Sequence, residues 1–477
     1  MLSIYFYTLE IALFSTLVSV AVGLPMAYFT ARRSFPGRRF LLSLSAIPLC
    51  VPPLIVALGY VSFWGMNGSV NRLLARLCGT GTGTGNGTGP QISFLYSSVG
   101  IVIAQGFYNF PFVTGILNDA WERLPREQEN AARLLGAGEA RILRTVTLRQ
   151  LSGAIGAACI PVFLFCYFSF MIVLLFSPVG RSTLEVEIYH SVRTTLDLGS
   201  GARLAILETV TAFGIVFAYS FIARKSQTSS SGVEYVPVIK KNLAEQGALF
   251  VFIPLIFLVL FFLIFPFGAV FVSGAGEAGK LFGSSSFWRA TRNSVLCGLA
   301  TGAACTALGF AYSVFVKLSR RQHSVILQTL PVLPMAISSV VISWCATLIF
   351  RQGSPALLVL LQTALYWPIA YRQIQNGINR ISYETDAAAR LLSRGHWDSV
   401  LRIYLPACRP VLISAFAYCF AVSLGDATMP LVLSIRDFDT LALYTYKLAG
   451  AYRFGQACAC GGIVAAISMI IFLAGKR

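Results

Sequence analysis

Long apolar stretches alternate with short polar ones along the whole chain. Each apolar stretch approaches or exceeds the ~20 residues that a helix needs to cross a bilayer. In hydrocarbon only a helix satisfies its own backbone locally, and the alternating pattern of a membrane β-strand is absent from the sequence. The pattern therefore predicts an all-α, polytopic membrane protein with about 11 transmembrane helices. The stretches are 5–29, 40–65, 94–118, 152–178, 202–223, 247–273, 293–316, 324–350, 355–371, 409–433 and 456–475.

Two polar, helix-prone segments stand at corresponding places between apolar stretches. Residues 129–136 are Glu-Asn-Ala-Ala-Arg-Leu-Leu-Gly, and residues 386–393 are Asp-Ala-Ala-Ala-Arg-Leu-Leu-Ser. The second segment follows the first by 257 positions (386 − 129 = 257), and the same offset pairs Tyr189 with Tyr446. Such an offset indicates a repeated membrane unit, and a repeat in one orientation places its pseudo-twofold axis along the membrane normal.

The repeat predicts three regions of the chain. A first transmembrane domain covers 1–223, a polar, Ser-rich linker covers 224–246, and a second transmembrane domain covers 247–477. The second domain has an additional leading stretch, 247–273, that has no counterpart in the first domain, because the chain begins almost at the next stretch. The Gly-Thr run at 79–89 accounts for most of the larger offset between the early parts of the two domains, and it is interpreted as a loop insertion.

Charge is sparse and unevenly placed. The chain is 56% hydrophobic and 12% charged, with a net charge of +18, whereas soluble domains carry about 25% charged residues. The positive-inside rule then predicts an N-terminus outside, a C-terminus in the cytoplasm, and both polar segments in the cytoplasm. The positive charge is thus interpreted as topology, with contact to the lipid bilayer and no nucleic-acid partner. Most of the 37 basic residues lie in 32–39, 123–149, 224–241, 317–321, 372–409 and 476–477.

Motifs for catalysis and for resident cofactors are weak. The eleven cysteines form no CxxC pair and the three histidines are scattered, so no metal site and no catalytic residue is predicted. Residues 274–281 nearly match a P-loop, but they lack its Ser/Thr and no strand precedes them. We therefore expect no cofactor on this chain and no ATPase activity of its own.

The polar segments resemble the cytoplasmic loop motif of binding-protein-dependent ABC transporter permeases. In that family an Ala-Ala core, a Gly three residues after the Arg position and a later Leu-Pro mark a coupling helix that docks on an ATPase subunit. The motif's Glu position holds Asn130 and Ala387 here, and an acid precedes each of them by one residue. Arg149 replaces the first Pro of the motif. The resemblance assigns the coupling helices to Glu129, Asn130, Ala131, Ala132, Arg133, Gly136, Asp386, Ala387, Ala388, Ala389, Arg390 and Ser393.

The resemblance covers nearly the whole chain and implies partners and a substrate. Residues 165–170, 182–189, 423–426 and 439–453 are most similar to the thiamine permeases with two fused permease domains, and the ferric-iron permeases share part of this frame. The implied partners are two copies of an ABC ATPase, which would hold ATP and Mg, and a periplasmic substrate-binding protein. The expected substrate is thiamine or its phosphates, with ferric iron as the alternative. A secondary transporter that needs no ATPase remains open, since parallel repeats occur there too.

Carboxylates within the apolar stretches are the remaining candidates for chemistry. A central Asp costs about 2.5–3.5 kcal/mol on insertion scales, so it normally faces a bundle interior or a wet cavity. Asp426 is therefore either an attraction site for a cationic substrate or a structural residue that caps a helix break near Gly425. Glu208 lies in another such stretch. The candidate substrate pathway comprises Asp426, Tyr167, Phe168 and Tyr418, because aromatic faces suit a cation such as the thiazolium of thiamine.

Overall fold

The protein is almost entirely helical over the part of the chain that the computed structural model describes. The described residues are 1–38, 41–42, 51–78, 92–124, 126–227, 241–242, 249–319, 327, 330–379, 381, 384, 393 and 395–475. The helices are α1 (Leu2–Arg32), α2 (Pro53–Trp64), α3 (Ser69–Leu77), α4 (Ser98–Glu122), α5 (Arg126–Leu134), α6 (Glu139–Ile142), α7 (Leu148–Tyr167), α8 (Met171–Phe176), α9 (Leu184–Arg193), α10 (Leu198–Gln227), α11 (Leu249–Val259), α12 (Phe265–Ala275), α13 (Ala278–Phe282), α14 (Ser285–Leu318), α15 (Ser339–Phe350), α16 (Pro355–Ile378), α17 (His396–Ser399), α18 (Leu405–Gly425), α19 (Thr428–Leu433), α20 (Leu441–Gly450) and α21 (Phe454–Gly475).

Within the described residues, three π-helical turns and two short 3₁₀ segments interrupt this pattern. The π turns are Leu143–Thr147, Leu260–Ile264 and Val400–Tyr404, and the 3₁₀ segments are Phe94–Tyr96 and Leu330–Ala336. The two-residue strands Arg33–Ser34 and Lys241–Asn242 pair in parallel, with Arg33 opposite Lys241. The all-α prediction is confirmed.

Eight helical stretches among the described residues are long and apolar enough to cross a membrane. They are Leu2–Arg32, Ser98–Glu122, Glu139–Tyr167, Leu198–Phe217, Leu249–Ala275, Ser285–Leu318, Val400–Gly425 and Phe454–Ile471. Each overlaps one of the stretches predicted from the sequence. The prediction at 355–371 lies in α16, and those at 40–65 and 324–350 fall partly outside the described residues.

The internal repeat is visible in the bounds of the helices. Helix α9 begins at Leu184 and α20 at Leu441, again 257 positions apart (441 − 184 = 257), and both helices have ten residues. The pairs α6 and α17, and α8 and α19, obey the same offset at both ends, as do the π turns that precede α7 and α18. Equal offsets at so many boundaries show that the two halves share one local fold, including its irregular turns.

The described chain packs as two units. Unit 1 contains Met1–Pro48, Gly59–Glu187 and Ile206–Ala269, and unit 2 contains Leu49–Leu58, Ile188–Ala205 and Val270–Arg477. The domain boundaries predicted at 223 and 247 follow the sequence repeat and stay predictions. Helix α11, assigned by sequence to the second domain, belongs to unit 1, where Phe252, Leu255 and Val259 pack against Val22 and Phe29 of α1.

Close packing of α1 against α4 forms the centre of unit 1. The Oγ of Ser15 donates to Oε1 of Gln105 at 2.9 Å, and the Oγ of Ser19 donates to the carbonyl of Gly106 at 3.0 Å. Small residues let the two backbones approach, as they commonly do between membrane helices, where packing and hydrogen bonds replace the hydrophobic driving force.

Unit 2 repeats this arrangement with α14, α16 and α18. Its centre includes Cys305, Ala370, Ile374, Ala415 and Tyr418, all buried. The hydroxyl of Thr301 on α14 donates to Oε1 of Gln362 on α16 at 3.1 Å, and the hydroxyl of Ser423 on α18 donates to the same oxygen at 2.6 Å. A single buried glutamine therefore connects three helices of the unit.

Candidate functional site

The first loop segment, residues 126–147, consists of α5, α6 and a π turn. Helix α5 ends in a Schellman motif: the amide of Ala137 donates to the carbonyl of Ala132 at 3.0 Å, and that of Gly136 donates to Arg133 at 2.9 Å. Gly136 has φ +83°, a conformation that glycine adopts without the strain that a Cβ brings. The predicted motif glycine thus reverses the chain after α5.

Glu129 lies on the side of α5 that contacts other elements of unit 1, and among the residues of α5 whose side chains are described it alone is buried. Its side chain is 7% exposed, and Oε1 accepts from Nη2 of Arg32 at 2.6 Å and from Oγ1 of Thr147 at 2.9 Å. The guanidinium of Arg133 lies 3.9 Å from Oε2. Glu129 therefore binds within its own chain, to the end of α1 and to the π turn.

The opposite side of the segment is open. Leu134 is 90% exposed and Leu135 is 88% exposed, and Asn130 and Ala131 are exposed as well. Arg133 holds this face in place, because its Nε and Nη2 donate to the two oxygens of Glu139 at 2.7 and 3.2 Å. The hydrogen bond to Glu139 also raises the pKa of Arg133. The segment presents two leucines on a locally ordered polar scaffold.

The second loop segment is described only in part. Asp386, Ala387, Ala388, Ala389 and Arg390 lie outside the described residues. Ser393, the counterpart of Gly136, accepts a hydrogen bond from the Oγ of Ser399 at 2.6 Å. The following π turn buries Tyr404, and Leu401 is exposed.

Asp426 lies at the break between α18 and α19. Its Oδ1 accepts from the amides of Thr428 at 2.9 Å and Met429 at 3.2 Å, and its Oδ2 accepts from Nε2 of Gln362 at 3.1 Å. The carboxylate thus bonds backbone amides two and three residues further on, as in an Asx turn, one residue before the N-cap Ala427 of α19. The contacts support the structural alternative for Asp426. A methyl group added at Gly425 would lie 2.2 Å from Cγ of Pro52, so the break is closely packed.

The aromatic candidates lie in two different clusters. Tyr167 is buried in unit 1, where its ring is 6.1 Å from that of Phe163 and 5.4 Å from that of Phe168. Tyr418 is buried in the core of unit 2 with Cys419. The four predicted pathway residues are therefore divided between the units.

A pair of buried carboxylates accompanies Tyr167. Glu185 and Glu208 are both fully buried, and Glu208 interacts electrostatically with Glu185 and with Tyr167. At the repeat offset the corresponding residues of the second half are Ala442 and Ala465, which are also buried. The shared local fold does not need acids at these positions.

Sequence reasoning singled out Glu208 but missed Glu185 and both buried glutamines. Gln105 and Gln362 differ by the same 257 positions (362 − 105 = 257), and each one lies in a helix packed against the first long helix of its half. A position-by-position comparison of the two halves would have revealed them as identical polar residues in apolar stretches.

The similarity to known proteins follows these features. The family model described as binding-protein-dependent transport system inner membrane component matches residues 20–227 and again residues 321–475. The chain therefore belongs to that family, the multi-pass inner-membrane permeases of ABC transporters, and carries its domain twice.

The relatives include permeases for particular substrates. The chain is 26% identical over 474 residues to the thiamine transport system permease protein ThiP of Escherichia coli (strain K12), which covers 97% of this chain and 86% of that protein. It is 26% identical over 487 residues to ThiP of Brucella abortus (strain 2308), covering 99% and 86%. The sulfate transport system permease protein CysW of Synechocystis sp. is 30% identical over 210 residues, covering 43% and 71%.

One solved structure is similar to part of this chain. A chain in the crystal structure of a bacterial alginate ABC transporter, in complex with an alginate pentasaccharide-bound periplasmic protein, matches with a TM-score of 0.40 and 18% identity. The match covers 47% of this chain and 91% of that chain.

Proposed function

We propose that the chain is the permease subunit of an ATP-driven importer of thiamine or thiamine phosphates. The carrying observation is the similarity to ThiP proteins of several bacteria over nearly the full length of this chain. Similarity over both halves is stronger support for a shared substrate than similarity over one permease domain, because both repeats together form the transport pathway.

In the proposed mechanism, conformational changes of the ATPase are transmitted to the permease through the two loop segments. Two copies of a separate ATPase subunit, which bind ATP and Mg, dock on these segments in the cytoplasm, and a periplasmic binding protein delivers substrate to the opposite face. Closure of the ATPase dimer moves the segments and shifts the permease between inward-facing and outward-facing states. The exposed leucines of the first segment, held on an ordered helix, support this role.

A cationic substrate also suits the polar groups inside the membrane helices. Thiamine carries a positive thiazolium, which carboxylates and aromatic faces attract. Asp426, Tyr167, Phe168 and Tyr418 are the candidate pathway residues, and Glu208 joins them. Support for Glu208 comes from the repeat: the second half has alanine at its position, whereas a carboxylate in a membrane helix costs about 2.5–3.5 kcal/mol.

The first experiment reconstitutes the chain in liposomes with its ATPase and binding protein. ATP hydrolysis is measured with the binding protein loaded with thiamine, thiamine diphosphate or ferric ion. Stimulation by a thiamine form supports the proposal. Stimulation by ferric ion alone would retain the importer and contradict the substrate, and uptake without an associated ATPase would indicate a secondary transporter.

A second experiment tests the docking role of the loop segments. Replacing Ala132 and Ala389 by glutamate places a bulky charge in each predicted docking helix and should abolish uptake while the protein still inserts. Normal uptake by this double variant would contradict the docking assignment. Membrane fractionation and size-exclusion chromatography check insertion and folding.

A further inference from the structure

The Glu129 cluster, consisting of Arg32, Glu129 and Thr147, connects three elements of unit 1. Arg32 is the last residue of α1, Glu129 lies in α5, and Thr147 ends the π turn that leads into α7. Nη2 of Arg32 and Oγ1 of Thr147 both donate hydrogen bonds to Oε1 of Glu129, at 2.6 and 2.9 Å. The cluster therefore joins the loop helix directly to two membrane helices, one of them 97 residues away in sequence.

The Glu129 cluster is buried, whereas the leucines proposed to dock on the ATPase are exposed. The side chains of Arg32 and Glu129 are 11% and 7% exposed, whereas Leu134 and Leu135 on the same segment are almost fully exposed. A protein docking on the leucines therefore does not reach the carboxylate of Glu129. The acid and the leucines serve different contacts of one short helix.

The chemistry of the contact makes it stiff. An Arg–carboxylate pair that is shielded from water is a strong, charge-assisted interaction, and here a hydroxyl satisfies a further lone pair of the acid. Arg32 also stands at the C-terminus of α1, where a cation complements the helix dipole. A displaced α5 would carry α1 and the start of α7 with it, or would have to break a buried ion pair.

We propose that the Glu129 cluster is the joint through which movement of α5 passes into α1, so that Arg32 and Glu129 are positioning residues for transport and not docking residues. The inference rests on the proposed function. It assigns Glu129, which stands one residue before the motif's acidic position, a role inside the permease. Coupling between distant sites travels through such contiguous contacts.

The chain provides a matched control close by. Arg38 and Glu122 form a second ion pair of the same 2.6 Å length, between the residues after α1 and the end of α4. This pair does not include α5. Breaking it removes an ion pair of the same length, with side chains 22% and 23% exposed, without detaching the loop helix, so E129Q and R32Q are compared with R38Q.

The test measures thiamine uptake per ATP hydrolysed in liposomes, together with the affinity of the permease for its ATPase. We expect E129Q and R32Q to bind the ATPase within twofold of wild type and to hydrolyse ATP, with uptake per ATP reduced about 5- to 100-fold, the range of typical coupling energies. R38Q should stay near wild type. The exchanged pair R32E/E129R should recover much of the lost uptake, which a merely structural loss of charge would not predict.

Two results would overturn the proposal. Loss of ATPase binding in E129Q would make Glu129 a docking residue, and equal uptake per ATP in E129Q and R38Q would remove its special role. If the charge variants fail to fold, T147V decides, because it removes one hydrogen bond at nearly constant shape: reduced uptake per ATP supports the joint, and unchanged uptake rejects it. Failure of the wild-type permease to bind any ATPase would instead contradict the proposed function.

Discussion

The two exposed leucines of the first loop segment allow a quantitative prediction. Leu134 and Leu135 keep 90% and 88% of their surface exposed, so almost all of each side chain is available to a docking partner. Truncating both to alanine removes about three carbon atoms from each, at about 0.8 kcal/mol per buried methylene. If the ATPase covers between half and all of this surface, the loss is about 2.4–4.8 kcal/mol.

This loss corresponds to an affinity for the ATPase that is about 60- to 3,000-fold weaker in L134A/L135A. The assay is titration of the purified permease in nanodiscs with the ATPase subunit, followed by thiamine uptake. The control is L73A/L77A on α3, since Leu73 and Leu77 are also exposed and the sequence places them on the opposite face of the membrane. Affinity within twofold of wild type for L134A/L135A would refute the docking face.

Three further substitutions, the first with Gly138→Ala as its matched control, test the local geometry. Gly136→Ala forces a Cβ into φ +83° and should lower stability by about 1–2 kcal/mol and reduce uptake, whereas Gly138→Ala, at φ −68°, should be neutral in thermal unfolding and transport. Gly425→Ala places a methyl 2.2 Å from Pro52 and should lower the melting temperature and the yield of folded protein; a wild-type melting curve would contradict the close packing. Asp426→Asn retains an acceptor for the amides after the break, but its NH2 group would face the donor Nε2 of Gln362, so the free energy of unfolding should fall by about 1–3 kcal/mol. A raised KM for thiamine in the folded protein would show that the charge itself attracts substrate.

The internal repeat, the membrane helices and the turn at Gly136 could be predicted from the sequence. Matching residues at a fixed offset predicted two similar halves, and the bounds of α9 and α20 confirm the offset to the residue. Helix type and approximate span were predictable because a long apolar stretch has only one way to satisfy its backbone in a membrane. The place of Gly136 was also predictable, since a glycine after a helical motif indicates a reversal of the chain.

The roles of individual polar residues were less predictable. Glu129 was assigned to a docking helix from its place beside the motif, but its partner Arg32 lies 97 residues earlier and was interpreted as a topology signal. Asp426 has two interpretations from the sequence, and the amides of Thr428 and Met429 that donate to it support the structural one, while its part in the substrate pathway stays a prediction. In each case the partner is distant in sequence or is a backbone group, and neither leaves a local pattern.

The sequence by itself determined the class of this protein: a helical membrane permease with two repeated halves, each with a polar segment between membrane stretches. These features depend on local hydrophobicity and on spacing along the chain, which a one-dimensional sequence records. The tertiary structure alone decided that α11 packs in unit 1, that Gln362 connects three helices, and which face of α5 is buried by Arg32. Those facts depend on contacts between residues far apart in the chain, and only the packed helices bring them together.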